Sequence, residues 1–489
     1  MLLIVASSIG ILGYVVVALQ RINYPYELTY FEGSTIEVTA RLVGGLPLYG
    51  PPGPEFVPWP YPPMYFWLTA AAADVFELTL PAMRWVSFIG SLFVLALLAA
   101  IVWRVTSSRV AALLGAGLYA ATYRVSGAWA DTARVDSVFL AWLLASVLVA
   151  MRARTWRGGV AVGLLVVAAF LTKQNAVVAA FPVLIALLVR RRTVGLFASA
   201  TSVLGCASTV VIGDLVTGGW YSPYVVFQLI GQAWAPQWFI GFWFIDVLLP
   251  FALIAGVGAW LAIRLRRSLN LPRLSRIGDD ALLVVAAIAG LLLAGFSGRL
   301  HDGGTTNVAM PTHVAMALAL AIGVHAVTSS GLLSSVEGWV LGGVVVAQVI
   351  LLLFWRTGLV PTAADRAAGD ALIAEVGSVR GQVLIPSHPY YARLAGIPTT
   401  ASSIAVVDLM ASRPNRARDA LESQLPWSLA GYSMIIADSP DDAARLGPML
   451  ERDFTLVSTD IVPGDAFEPV TDVPAKPSLV FVRTSELQQ

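Results

Sequence analysis

Eleven segments of this 489-residue chain read as apolar runs able to form membrane-spanning helices. They lie near 1–19, 82–103, 109–124, 135–151, 158–172, 174–190, 193–213, 241–263, 281–297, 311–328 and 336–355. A spanning helix needs about 20 mostly apolar residues, and several of these runs are shorter. The segment 62–80 is also apolar, but it carries Asp74 and Glu77 behind prolines and reads as interfacial. Composition agrees. Charged residues are 12% of the chain, hydrophobic residues 57%, and mean hydropathy is +0.76. Soluble proteins carry about 25% charged residues. A cytosolic enzyme, a disordered chain and a disulfide scaffold are therefore excluded. The expected fold class is an α-helical polytopic membrane protein with about 11 transmembrane helices.

Charge divides the chain. Residues 1–362 hold 21 Lys+Arg against 14 Asp+Glu, and residues 363–489 hold 10 against 16. Loops 104–109, 152–157, 190–192 and 264–276 carry 13 of the body's 21 basic residues. By the positive-inside rule these loops are cytoplasmic. The N-terminus is then cytoplasmic, and eleven spans place the C-terminal tail outside the plasma membrane. Residues 1–19 lack a basic leader and a cleavage site, so they read as an uncleaved first span. The net charge of +1 gives no basic bias toward nucleic acid. The single Cys206 lies in an apolar run and reads as a small buried hydrophobe.

Two units are expected: a transmembrane body over 1–360 and an extracytoplasmic α/β domain over 361–489. In the tail, Val383-Leu384-Ile385, Met434-Ile435-Ile436-Ala437 and Leu479-Val480-Phe481-Val482 read as strands. Residues 364–377 and 440–450 have helical spacing.

The four histidines are scattered, and no zinc-binding spacing, nucleophile elbow or Walker loop occurs. No metal ligand is assigned. The informative residues are charges placed near the outer bilayer surface. Glu32 and Glu37 follow the first span, with Arg41 four residues after Glu37 and so able to pair with it. Arg134 and Asp136 flank the start of the fourth span, and Lys173 lies between two spans in Leu171-Thr172-Lys173-Gln174-Asn175. Ionisable groups at membrane depth are costly and mark function by default. Each also has a structural reading: Arg134 with Asp136 as a mutual pair, Lys173 as a helix cap, His313 and His325 as satisfied span residues. The aromatic outer loops, with Trp59, Tyr61 and Trp234, read equally as bilayer anchors.

A resemblance now emerges. The first outer loop runs Phe31-Glu32-Gly33, Ala40-Arg41-Leu42, Gly44-Gly45-Leu46-Pro47-Leu48-Tyr49 and Tyr61-Pro62-Pro63-Met64. It resembles the first periplasmic loop of polytopic GT-C glycosyltransferases, the superfamily of protein O-mannosyltransferases and lipid A aminoarabinose transferases. Ala133-Arg134-Val135-Asp136, Leu171-Thr172-Lys173-Gln174 and the Gly-rich 298–311 stretch with Asn307 and Pro311 are similar to later landmarks in the same order. Many members carry Asp-Glu at the first acidic site. Here the pair is Phe31-Glu32.

The resemblance implies a polyprenyl-phosphate-linked sugar as donor, transferred at the outer face with inversion. Its acceptor would be a hydroxyl of a glycan, a lipid or a protein. Glu32 would then be the catalytic base. The leaving lipid phosphate gains negative charge, which cations would stabilise. Lys173, Arg134, Arg299 and His301 are the candidates for that task. Glu37, Asp136, Trp59 and Tyr61 are candidate acceptor or sugar contacts. No organic cofactor is implied, and a divalent metal is left open. The rival readings are a polytopic transporter or a flippase of lipid-linked glycans, and a non-catalytic scaffold. The absence of an internal repeat and the large outer tail disfavour the first rival.

Overall fold

The computed structural model describes residues 1–265, 278–355, 357–425, 427–462, 464–471 and 475–487. Most of the expected Arg-rich loop 264–276 falls outside these residues.

All eleven expected apolar segments are helical. The helices are α1 (Leu2–Arg21), α2 (Phe31–Val43), α3 (Met64–Phe76), α4 (Leu80–Thr106), α5 (Arg109–Ala121), α6 (Asp136–Arg152), α7 (Trp156–Thr172), α8 (Ala176–Arg190) and α9 (Arg192–Thr217). After an irregular helical stretch from Trp238, α10 (Ala252–Leu265), α11 (Asp279–Arg299), α12 (Met310–Ser329) and α13 (Ser335–Leu353) complete the bundle. Seven helices among the described residues are long and apolar enough to cross a membrane. The shorter α3, α5, α7 and α8 are apolar too. The apolar 62–80 segment forms α3, and its charged end breaks at Glu77.

Local chemistry fixes several helix starts. Thr79, Ser108 and Thr155 each cap the following helix with a side-chain oxygen. Ser334 and Glu337 form a reciprocal capping box. Packing uses small residues, as expected where apolar surface alone gives no selectivity in lipid. A Cβ at Gly117 would collide with the Ser7 backbone, and one at Gly10 with the Gly117 carbonyl. These glycines let α1 and α5 approach closely.

At one end of the bundle, Arg104, Arg190 and Arg191 meet Asp279 and Asp280 at the start of α11. Acids there also complement the helix dipole. At the other end lie α2, the 44–63 loop, the 298–309 turn and the C-terminal region.

The C-terminal region contains a four-stranded sheet. Its strands are β1 (Gln382–Leu384), β2 (Tyr432–Ala437), β3 (Phe454–Ser458) and β4 (Leu479–Arg483), in spatial order β1-β2-β4-β3. β1 pairs parallel to β2, and β4 runs antiparallel to both β2 and β3. Three strands match expectation. β3 escaped notice because its pattern is mostly exposed. The helix expected over 440–450 is two short helices, split at Gly447 (φ 77°). The expected helix over 364–377 is α14 (Ala363–Ser378), started by a Thr362–Asp365 capping box. The body and the C-terminal region share one apolar core, in which Tyr26 packs on Tyr391 and Phe467.

Candidate functional site

A cavity of about 100 Å³ lies where α2, the Trp59–Tyr61 loop, the Lys173–Asn175 turn and the 298–308 loop converge. Phe31, Trp59, Tyr61, Arg134, Lys173, His301, Asp302, Asn307 and Asp408 line it. Residues from widely separated parts of the chain therefore meet in one place.

Arg134 is the centre of the site. It is buried, and its guanidinium carbon lies 4.7 Å from the Phe31 ring centroid, 4.9 Å from Trp59, 5.2 Å from Tyr61 and 5.6 Å from Trp129. These π faces stabilise the cation away from water. Nη2 donates to the Tyr61 hydroxyl at 2.9 Å. Nε and Nη1 are buried and reach no protein acceptor. A buried charge with two unused donors is an expensive arrangement unless an anion completes it. Arg134 does not pair with Asp136, contrary to the structural reading of that dipeptide.

Asp136 serves Lys173 instead. Lys173 Nζ lies 2.5 Å from Asp136 Oδ1. Asn307 Nδ2 donates to both Asp136 oxygens at 3.2 Å. Asp136 opens α6, where a carboxylate suits the helix dipole. Lys173 sits just past the end of α7 in extended backbone, which turns its side chain into the cavity. Gln174 braces the turn by donating to the carbonyls of Pro60 and Val225. Asp136 stands behind Lys173 and does not line the cavity. Its role as a direct substrate contact is therefore replaced by that of orienting the lysine.

His301 lines the cavity with Nδ1 unpartnered. Burial holds its imidazole below the usual histidine range, so it is neutral near pH 7. Its backbone bridges to Trp234. Trp234 itself is exposed at the surface and lies off the cavity.

Three more expectations need correction. Arg299 does not reach the cavity. Its Nε and Nη2 pair with Asp246 at 2.9 and 3.3 Å, Nη1 donates to the Gly304 carbonyl, and its plane stacks on Trp238 at 3.7 Å. It holds the glycine loop in place. Glu37 does not pair with Arg41. Arg393 of the C-terminal region takes both Glu37 oxygens at 2.7 and 2.5 Å. Arg41 donates to the Pro47 carbonyl and lies over Phe56. Glu37 and Arg393 line a separate cavity of about 400 Å³, which shares Trp59 with the first.

The third correction concerns Glu32. Its side chain has no exposed surface. Oε1 accepts from Arg84 Nε at 2.8 Å and from the Ala133 N–H at 2.7 Å. Oε2 accepts from the Leu28 N–H at 2.8 Å and from Arg84 Nη2 at 2.5 Å. Four donors fill the capacity of one carboxylate. Successive residues on a helix point about 100° apart, so α2 turns Phe31 toward the cavity and Glu32 away. Glu32 clamps the first loop, α4 and the 129–135 segment together. It is not placed to take a proton from a substrate.

One charged cavity residue had no sequence signal read for it. Asp408 lies on the helix Ser403–Ala411. The clue would have been a lone acid within the apolar run Ile404-Ala405-Val406-Val407-Asp408-Leu409-Met410. Among the described residues, no group of three or more His, Cys, Asp or Glu side chains is placed to hold a metal ion.

Comparison with known proteins follows this geometry. Residues 60–213 match the dolichyl-phosphate-mannose-protein mannosyltransferase family. Comparison with curated protein sequences gives no match. Among solved structures, ArnT from Cupriavidus metallidurans aligns over 99% of this chain and 98% of its own. In the undecaprenyl phosphate complex the TM-score is 0.56 at 12% identity, and in the apo state 0.58 at 13%. The chain has the GT-C fold. The oligosaccharyltransferase of Archaeoglobus fulgidus aligns over 98% of this chain and 74% of its own, with TM-score 0.53 at 11% identity. These alignments take in the helical body and the C-terminal region alike. The family match spans α3 to most of α9 and includes Arg134 and Lys173.

Proposed function

We propose that this protein is a membrane glycosyltransferase that moves a sugar from a polyprenyl-phosphate carrier to an acceptor hydroxyl. The observation that carries the reading is Arg134, a buried guanidinium in an aromatic cage with two unused donors, beside Lys173. A phosphate monoanion or dianion fits that pair, because guanidinium presents paired donors to oxyanions and lysine adds a point charge. ArnT, which shares the fold, was crystallised bound to undecaprenyl phosphate.

The reaction is a direct displacement. An acceptor hydroxyl attacks the anomeric carbon, the bond from that carbon to the phosphate oxygen breaks, and the carrier phosphate leaves with the electron pair. Arg134 and Lys173 hold the charge that develops on it. His301, neutral at its position, can donate a hydrogen bond to the same phosphate. Trp59 and Tyr61 offer flat faces to a sugar ring above it. Inversion follows from a single displacement. Asp136 orients Lys173, and Glu37 with Arg393 borders a neighbouring cavity suited to part of an acceptor.

Under this reading the body over 1–360 holds the donor and the region 361–489 closes over it outside the plasma membrane. The N-terminus is cytoplasmic. A periplasm-dependent reporter fused after residue 489 gives an external signal if this orientation holds, and a cytoplasmic signal overturns it.

The test is a transfer assay on purified protein in lipid, with a panel of short-chain polyprenyl-phosphate sugars and glycan, lipid and peptide acceptors. Consumption of one donor, dependent on an acceptor and lost in Arg134→Gln, is the expected result. Binding of a lipid-linked glycan with no transfer, and its release on the opposite face of a sealed vesicle, would favour a flippase.

A further inference from the structure

The displacement needs a base at the acceptor oxygen, and the two buried carboxylates of the body beside the cavity do not supply one. Glu32 is saturated by Arg84 and backbone donors, and Asp136 is committed to Lys173 and Asn307. Asp302 lines the cavity from an exposed position on the glycine loop, where it caps the Gly303 N–H. Phe31 occupies the face of α2 that looks into the cavity.

Asp408 is placed differently. It comes from the C-terminal region and lines the Arg134 cavity from the side opposite the bundle. It also lines a second cleft of about 530 Å³. That cleft runs beside Tyr30, Ser387, Ser403, Ser439 and Ser478. Tyr30 packs on Phe31 with ring centroids 4.1 Å apart, so these two rings and Asp408 form the partition between cleft and cavity. Among the described residues, Asp408 is the one side chain shared by both spaces. The cleft walls are rich in hydroxyl and carboxylate oxygens, with Arg445 and Lys476 as cations. Such a lining hydrogen-bonds polyhydroxylated surfaces and offers little to an acyl chain.

We propose that Asp408 is the general base of the transfer, and that a carbohydrate acceptor reaches it through the cleft between Tyr30 and the serines of the C-terminal region. This inference rests on the donor reading above. The acceptor O–H proton passes to the Asp408 carboxylate as the acceptor oxygen bonds to the anomeric carbon. The carrier phosphate leaves with the electron pair of the broken bond, and Asp408 then returns its proton to water. Burial pushes the Asp408 carboxyl up to about 6, with Arg134 opposing and Asp302 adding to the rise. A base of that strength is ionised at neutral pH and accepts a proton more readily than an ordinary aspartate.

The experiment uses the full chain in lipid nanodiscs. Undecaprenyl phosphate binding is measured by quenching of intrinsic tryptophan fluorescence, and transfer is measured with the donor that wild type consumes. Asp408→Asn is expected to lower kcat about 100-fold or more, the usual share of a general base, while carrier affinity is unchanged. Asp408→Glu is expected to recover part of kcat. Wild-type kcat in the Asn variant overturns the assignment. So does a parallel loss of carrier affinity, which would make Asp408 part of the donor site or the scaffold. A wild type that binds no undecaprenyl phosphate sinks the donor reading itself, and this inference falls with it.

Discussion

Lys173 Nζ and Asp136 Oδ1 lie 2.5 Å apart at the edge of the cavity, with the aspartate almost wholly buried behind the lysine. The pair joins the end of α7 to the start of α6 and holds an ammonium toward the space beside Arg134. Replacing Lys173 by Met keeps the stem and deletes the charge, but it strands a buried carboxylate. Breaking one side of such a pair costs about 3–5 kcal/mol. Asn307 remains as a donor to Asp136 and softens that loss. Lys173→Met is therefore expected to lower both the melting temperature and carrier affinity. Adding Asp136→Asn should restore most of the melting temperature without restoring affinity. If the double variant recovers carrier affinity as well, Lys173 is a structural residue only.

Glu32→Gln separates a clamp from a catalyst. The change removes the charge opposite Arg84 and puts an amide N–H₂ where N–H donors already point. A loss of several kcal/mol is expected, seen as a lower melting temperature in detergent and a lower folded yield. Activity per folded molecule should remain near wild type. A Gln variant that melts like wild type and turns over nothing would return the base to Glu32.

The junction between the first loop and the C-terminal region carries a pH dependence. Buried His388 places Nδ1 2.5 Å from Glu27 Oε2 and Nε2 3.2 Å from Asp438 Oδ1. Burial disfavours its charged form, yet Asp438 and Glu27 together raise it well above the ordinary histidine range. Burial, opposed by His388, pushes Glu27 up to about 7. A raised folded pKa stabilises fully below the unfolded value, and the contribution fades as pH climbs through the folded value. The unfolded histidine value is about 6.5 and the glutamate value about 4.3. Both shifts therefore act in one direction: attachment of the C-terminal region weakens as pH rises. Limited proteolysis as pH rises from about 4.3, through about 7 and beyond the ordinary histidine range, should release this region progressively. His388→Gln should remove the part of that dependence that the imidazole carries and leave the part due to buried Glu27. Cleavage that is independent of pH in wild type would contradict the junction.

How much of this could be read from the sequence depended on distance along the chain. Apolar runs fix helices locally, so α4, α6, α9 and α13 fall within a few residues of their expected spans. Charges at membrane depth signalled Arg134 and Lys173, because their cost is set by the bilayer rather than by a particular partner. The errors came from partners far away. Glu32 is sealed by Arg84, 52 residues on, and by the Ala133 N–H, 101 residues on. Glu37 meets Arg393 356 residues later and ignores Arg41 one turn away. Arg299 is captured by Asp246 from an irregular helical segment with no periodic signature. Asp408 passed unseen because its value lies in facing Arg134 across the cavity, and its own helix announces only a lone acid in an apolar run.

The central claim is that Arg134 binds the carrier phosphate, and a binding isotherm tests it most directly. Undecaprenyl phosphate would be titrated into nanodisc-embedded wild type and Arg134→Gln, with melting temperature measured alongside. Charge-assisted hydrogen bonds contribute about 1.5–3 kcal/mol each, so affinity should fall about 10- to 100-fold or more in a variant that still folds. Relief of a buried, under-satisfied cation should leave its melting temperature near that of wild type. Equal affinity in the two proteins would contradict the account.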